Sequence, residues 1–178
     1  MYFKIALISL FLLAGCVSVP PSAPPPPIAQ PLPPPPPTPV PQAQAENWLD
    51  RPITTGNWEL RRDAFGSFAT FGKPGANPQF LVRCVFATKA IKLSRAGRAP
   101  ENGSGSMTVR AADSSKTYSV ANDREMPAYA SVTTPASDPQ LDAIAFSRGR
   151  FLVSLGGTSD LVIPDWPEFS RVIEDCRG

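Results

Sequence analysis

The chain has 178 residues, with 17 Lys+Arg against 15 Asp+Glu, a formal net charge of +2, and no histidine. That balance lacks the basic excess of a nucleic-acid binder. The missing histidine removes the commonest general base, the Ser–His and Cys–His nucleophile pairs and most zinc sites. Taken from its start, the chain opens with one cation, Lys4, followed by the apolar run Ile5 to Leu13, in which only Ser9 is polar. Such a run is too short to cross ~30 Å of hydrocarbon, which takes ~20 residues, but it suits the apolar core of an export signal. Ala14 and Gly15 follow, small enough for a signal peptidase cleft, and then Cys16.

The tetrad Leu13-Ala14-Gly15-Cys16 resembles the lipobox of bacterial lipoprotein precursors. The resemblance implies that residues 1–15 are removed and that Cys16 becomes a lipidated N-terminus. Two or more acyl chains, at ~0.8 kcal/mol per buried CH₂, hold a protein stably on a membrane. Position 17 is Val rather than Asp, which by the same resemblance points to the outer membrane, facing the periplasm. Residues 16–45 then form the linker. Between Pro20 and Pro41 the chain has 14 prolines in 22 positions. Proline fixes φ and has no N–H to donate, so this stretch joins neither helix nor sheet. As a polyproline II rod, at ~3.1 Å per residue, it spans roughly 70 Å. Three readings are open: a spacer, a ligand for a proline-binding module through its PxxP spacings, or a plain tether.

Residues 46–178 read as one domain, mostly β, of a size that buries a sizeable core. Lys4 is the one basic residue before it, so the domain carries 16 Lys+Arg against 15 Asp+Glu. Strands are predicted at 58–62, 65–71, 80–86, 89–95, 107–111, 117–121 and 129–134, from β-branched and aromatic residues between Gly, Pro, Asn, Asp and Ser punctuation. The second of these is apolar on both faces. Residues 98–106 (RAPENGSGS) read as a polar loop. A helix is predicted from Pro139, with Asp138 as N-cap and Gly149 past its end. Residues 151–155 and 160–163 form a hairpin turning at Gly156-Gly157. A last helix is predicted from Asp165, with Glu168 three residues on in a capping-box arrangement and Phe169, Val172, Ile173 and Cys176 on its buried stripe. The expected fold is α+β and mostly β: a small antiparallel sheet, sandwich or barrel-like, with two short helices including a C-terminal one.

With Cys16 carrying lipid, Cys84 and Cys176 remain. An even remainder in an oxidising compartment predicts one disulfide between them. Carboxylates alone run some hydrolases, and the candidates here are Asp142, Asp160, Asp165, Glu168, Glu174 and Asp175. Helix capping and exposed helix faces account for several of these. Arg148-Gly149-Arg150 places two guanidinium groups beside a flexible residue, a candidate anion contact. Lys89, Lys92, Arg95 and Arg98 form a spaced basic run. Lys92 falls on the opposite face from Lys89 and Arg95, and the run reads as a solvated edge that resists pairing. Trp48, Trp58 and Trp166 are the large aromatics, read as packing residues or as a sugar-stacking surface. No metal site and no cofactor are implied.

The stretches Asp138-Pro-Gln-Leu-Asp-Ala-Ile-Ala-Phe-Ser-Arg-Gly-Arg-Phe151 and Leu161-Val-Ile-Pro-Asp-Trp-Pro-Glu-Phe-Ser-Arg-Val-Ile-Glu-Asp-Cys-Arg177 resemble exported proteins and lipoproteins of sphingomonad-type alphaproteobacteria. That resemblance carries no activity with it. The sequence as a whole points to a non-catalytic, membrane-anchored envelope lipoprotein whose β-rich domain binds an envelope protein or glycan. The alternatives are an envelope hydrolase working through paired carboxylates and an inhibitor or adaptor of a cell-wall enzyme.

Overall fold

The computed structural model describes residues 47–100, 105–126 and 128–178, together with Ser22. Cys16, the export segment and the proline-rich linker lie outside the described residues. After a short 3-10 turn at Trp48–Asp50 come β1 (Asn57–Asp63), β2 (Gly66–Gly72), β3 (Phe80–Val85) and β4 (Ala90–Ala96). They are followed by β5 (Ser106–Arg110), β6 (Ser115–Ser119), β7 (Ala121–Asn122) and β8 (Tyr129–Pro135). Helix α1 (Pro139–Ala145), β9 (Arg150–Leu155), β10 (Leu161–Pro164) and α2 (Pro167–Arg177) complete the domain. Two antiparallel sheets result, ordered β1-β2-β3-β4-β8-β7 and β10-β9-β5-β6. Neither closes on itself, so the expected mostly-β architecture is a sandwich-like one.

Alternation sets the inner face of the larger sheet. Trp58 pairs across to Phe71, Phe71 to Phe80 and Phe80 to Arg95; the next row is Leu60, Ala69, Val82, Leu93 and Val132. Trp58, Phe71, Phe80, Phe151 and Phe169 stack with centroids 5.5–6.3 Å apart, mostly tilted or edge-on. Those geometries suit the ring quadrupole. The buried Trp58 Nε1–H donates to Pro164 O at 2.8 Å, so the one polar atom of that side chain is satisfied. Helix α2 lays Phe169, Val172, Ile173 and Cys176 into the same core. The Sγ atoms of Cys84 on β3 and Cys176 on α2 are bonded at 2.08 Å.

One glycine explains a close approach. A Cβ at Gly66 would sit 1.8 Å from Cys84 O, so β2 can leave its turn beside β3 only with hydrogen there. Asp63 builds that turn by accepting from Phe65 N and Gly66 N, both at 2.9 Å.

Four local expectations need correction. First, Phe65 belongs to the turn and is 75% exposed, so β2 begins at Gly66. On β2 the face of Ser67, Ala69 and Phe71 is buried, and Phe68 and Thr70 on the other face are half-buried. Second, the expected strand 117–121 is two strands. Val120 turns inward, donating to Gly105 O, and the chain passes from the smaller sheet to the larger one. Third, the basic run is no edge: β4 lies inside the six-stranded sheet, hydrogen-bonded to β3 and β8. Arg95 is buried and donates to Gln79 O, Ala96 O and Ser159 O. Fourth, Asp165 does not cap α2. Pro167 takes the first helical position, which makes Trp166 the N-cap, and Trp166 has no side-chain acceptor.

Candidate functional site

The sequence-predicted residues occupy separate places. Arg150 is half-buried, and its Nη1 donates to Leu49 O and Arg51 O, both at 3.0 Å, pinning the segment before β1. Arg148 is exposed at the end of α1, with the positive-φ Gly149 between the two. Asp142 pairs with Arg177 at 2.7 Å, Asp160 with Arg51 at 2.8 Å and Asp175 with Arg62 at 2.6 Å. Ser154 and Arg51 hold the Asp160 carboxyl low, and Arg62 does the same for Asp175. Glu174 is exposed on α2. Asp165 is different: burial pushes it up to about 6. Glu168 Oε2 nearby in sequence is buried without a hydrogen-bond partner. Trp58 is core, and Trp166 is 43% exposed. Among the described residues no three metal-ligating side chains come together.

The arrangement of most interest came from no single stretch of sequence. Inner-face residues of the six-stranded sheet face α2 and the core, so their neighbours in sequence form its outer face. There, Arg61 on β1 lies directly opposite Phe68 on β2, Phe68 opposite Arg83 on β3, Arg83 opposite Lys92 on β4, and Lys92 opposite Thr133 on β8. The next row along is Glu59, Thr70, Leu81, Ser94 and Ser131. The face therefore carries a row of cation, aromatic, cation, cation beside a row of mostly hydroxyl groups. The Arg83 guanidinium carbon stands 5.1 Å from the Phe68 ring centroid, within cation–π range.

Counter-charges come from the margins of the row. Arg83 Nη2 donates to both carboxylate oxygens of Asp63, at 2.9 and 2.7 Å, and Arg61 Nη2 donates to Glu59 at 2.9 Å. Asp63 is held below its ordinary value, chiefly by Arg83. At the other end Lys92 Nζ meets Asp123 at 2.5 Å. Burial pushes the Asp123 carboxyl up, but Lys92, Ser131 and the N–H groups of Met126 and Glu125 outweigh it and hold it at about 2. Hollows mark both ends. One, of about 320 Å³, is lined by Asn57, Glu59, Arg61, Phe68, Thr70 and the loop 73–78. The other, of about 250 Å³, lies around Lys92, Asn122, Asp123 and Ser131. Tyr129 OH donates to Pro78 O at 2.7 Å and ties that loop across the sheet from β8.

A second polar cluster lies at the start of α1. The buried Asp138 accepts from Lys116 Nζ, Tyr118 OH, Thr134 Oγ1 and Gln140 N at 2.6–3.1 Å. Burial pushes Asp138 up, and these donors outweigh it and hold the carboxyl at about 2, while burial raises the Tyr118 phenol. Each oxygen of Asp138 is thus committed within the fold, which suits a structural anchor. The sequence showed Asp138 as a cap; the three side-chain donors come from β6 and β8 and carry no local signal. No family model matches the chain, and no curated protein or solved structure matches it.

Proposed function

We propose that this protein is a non-catalytic envelope lipoprotein, held on the outer membrane through Cys16, which presents the outer face of its six-stranded sheet to an envelope partner, protein or glycan. The observation that carries the binding reading is the row Arg61–Phe68–Arg83–Lys92. Helix α2 lies on the opposite, core side, bonded through Cys176 to the buried Cys84, while Asp123 covers the β4–β8 end of the outer face, where Ser94 is buried. The lipobox supplies the anchor and the proline-rich segment the stand-off. Further support comes from Asp142, Asp160 and Asp175, whose carboxyls are each paired with an arginine.

A photo-crosslinking residue at Leu81, on the outer face, tests this in cells, with Thr108 on the smaller sheet as control. The reading requires an adduct from position 81, absent from position 108, and lost when Cys16→Ser releases the protein from membranes. Equal labelling from both positions, or none from position 81, overturns it. The hydrolase reading has two observations in its favour, the raised Asp165 and, three residues on in sequence, the unpartnered Glu168 oxygen. A cell-wall-degrading activity abolished by Glu168→Gln would support that reading instead.

A further inference from the structure

Resting on the binding reading above, we propose that the outer face of the six-stranded sheet binds an acid-bearing glycan laid across the strands, with one sugar ring on Phe68 and its acid groups on Arg61 and Arg83. Three observations lead there. The first is the cost of the row. Arg83 and Lys92 face each other directly on neighbouring strands, and like charges so placed destabilise a sheet. The carboxylates that offset them, Asp63 and Asp123, stand at opposite margins and not between them. Departures from a local rule concentrate at functional or strained sites.

The second observation is spacing. Strands lie ~4.8 Å apart, so β1 to β4 covers ~14 Å. Successive strands therefore present cation, aromatic, cation, cation at intervals close to the length of one sugar in an extended chain. Both bonds from Arg83 to Asp63 leave from Nη2, and a guanidinium has five N–H donors. Nη1 and Nε of Arg83 keep N–H groups for a ligand, each for a single oxygen, since both bidentate edges of the guanidinium run through Nη2 and that nitrogen is held by Asp63. Arg61 is two-thirds exposed and pairs with Glu59 only within its own strand; such surface pairs contribute little and exchange readily for a ligand.

The third observation concerns what the face lacks. β2, β3 and β4 are hydrogen-bonded on both sides, so a ligand laid across them meets side chains; free main chain, the usual currency of peptide capture, is offered only at the sheet edges, β1 and β7. Recognition across the face runs through side chains, and those in or beside the cation row are Thr70 and Thr133, with Asn57 in the adjoining hollow. Hydroxyls and an amide are the partners that sugar hydroxyls require.

The test is a binding titration of the full-length protein with oligogalacturonate, its neutral methyl ester, a phosphorylated mannan and oligoglutamate. Binding of either acidic glycan, with the methyl ester at least about tenfold weaker, supports the assignment and names the acid group. Arg61→Gln and Arg83→Gln should each weaken it roughly tenfold, the worth of a charged hydrogen bond. Phe68→Ala should weaken it about fivefold. Arg61 is exposed, so its replacement reads binding without disturbing the fold. Oligoglutamate bound as tightly as the glycans, with Phe68→Ala neutral, makes the face a general polyanion surface and overturns the proposal. A protein adduct from position 81 in cells, with no glycan bound, overturns the glycan class and leaves the binding reading standing. Neither adduct nor glycan removes both.

Discussion

The two helices of the domain are held by opposite means. α1 has seven residues and starts at a buried carboxylate, Asp138, that accepts from four donors on α1, β6 and β8. α2 has eleven residues, no side-chain cap and a carboxylate, Asp165, one position too early to serve as one. It is fixed by the Cys84–Cys176 bond and by Phe169, Val172 and Ile173 in the core. The local sequences, Asp-Pro at one and Asp-Trp-Pro at the other, differ by a single inserted residue. That insertion moves the proline, the proline sets the first turn, and the aspartate loses its donors. A polar anchor was built at one helix and a covalent, apolar one at the other.

Removing each anchor breaks the comparison in turn. Replacing Cys84 and Cys176 by alanine opens a link between residues 92 apart. On the chain-entropy account this costs about 4.6 kcal/mol, and removal of native disulfides typically costs about 2–5. Denaturant unfolding should show that loss, and amide exchange should rise first in α2 while α1 stays protected. If α1 opens together with α2, the two anchors are not independent. Asp138→Ala comes next, at about 3 kcal/mol: ~1 for the cap and the remainder for buried donors left without an acceptor. Asp138→Asn keeps the cap and should recover that first part. The pH dependence has a definite sign. A carboxyl held at about 2 in the fold against 3.8 free adds stability that is full above pH ~4 and is lost as pH falls from ~4 to ~2. Asp138→Ala should flatten that part of the acid limb in a melting series; an unchanged limb would exclude Asp138 as its source.

Local signals explain most of what the sequence revealed of the fold. Strand positions followed from β-branched and aromatic residues set between turn residues, and the turn at Gly156-Gly157 and the start of α1 from residues whose backbone preferences act within a few positions. The pairing of Cys84 with Cys176 followed from counting. What the sequence hid was set by distant partners. Arg95 looked like an exposed edge residue because its three carbonyl partners, on Gln79, Ala96 and Ser159, are recruited by the fold. The binding face is the clearest case. Arg61, Phe68, Arg83 and Lys92 sit on four strands, and no periodicity within one strand reveals a row that exists only once the register is fixed. Lys92 points away from Arg95, as the alternation predicts, while Lys89 falls in the positive-φ turn before β4; the cross-strand neighbours of Lys92 are Arg83 and Thr133.

The smallest effect sharpens the comparison most, because it has the opposite sign. Asp165 is raised to about 6 by burial alone, from 3.8 in the free chain. Its ionised form is therefore disfavoured in the fold and carries no compensating donor. The penalty is absent below pH ~4, grows as pH rises from ~4 to ~6, and is constant above that. Asp165→Asn replaces the carboxylate with a neutral group of the same shape and should stabilise the protein at pH 7.5. Asp165 is partly exposed, so the gain is discounted to roughly 1 kcal/mol. Below pH 4 the variant and the parent should melt together. Asp138 makes the reverse contribution, stabilising at neutral pH and costing stability in acid, so the two variants should displace the stability–pH curve in opposite directions over adjoining windows. If Asp165→Asn instead destabilises the protein at pH 7.5, Asp165 has a partner that favours its charge. Both helix starts would then rest on a charged carboxylate, and Asp165 and Glu168 would be the pair to assay for hydrolysis.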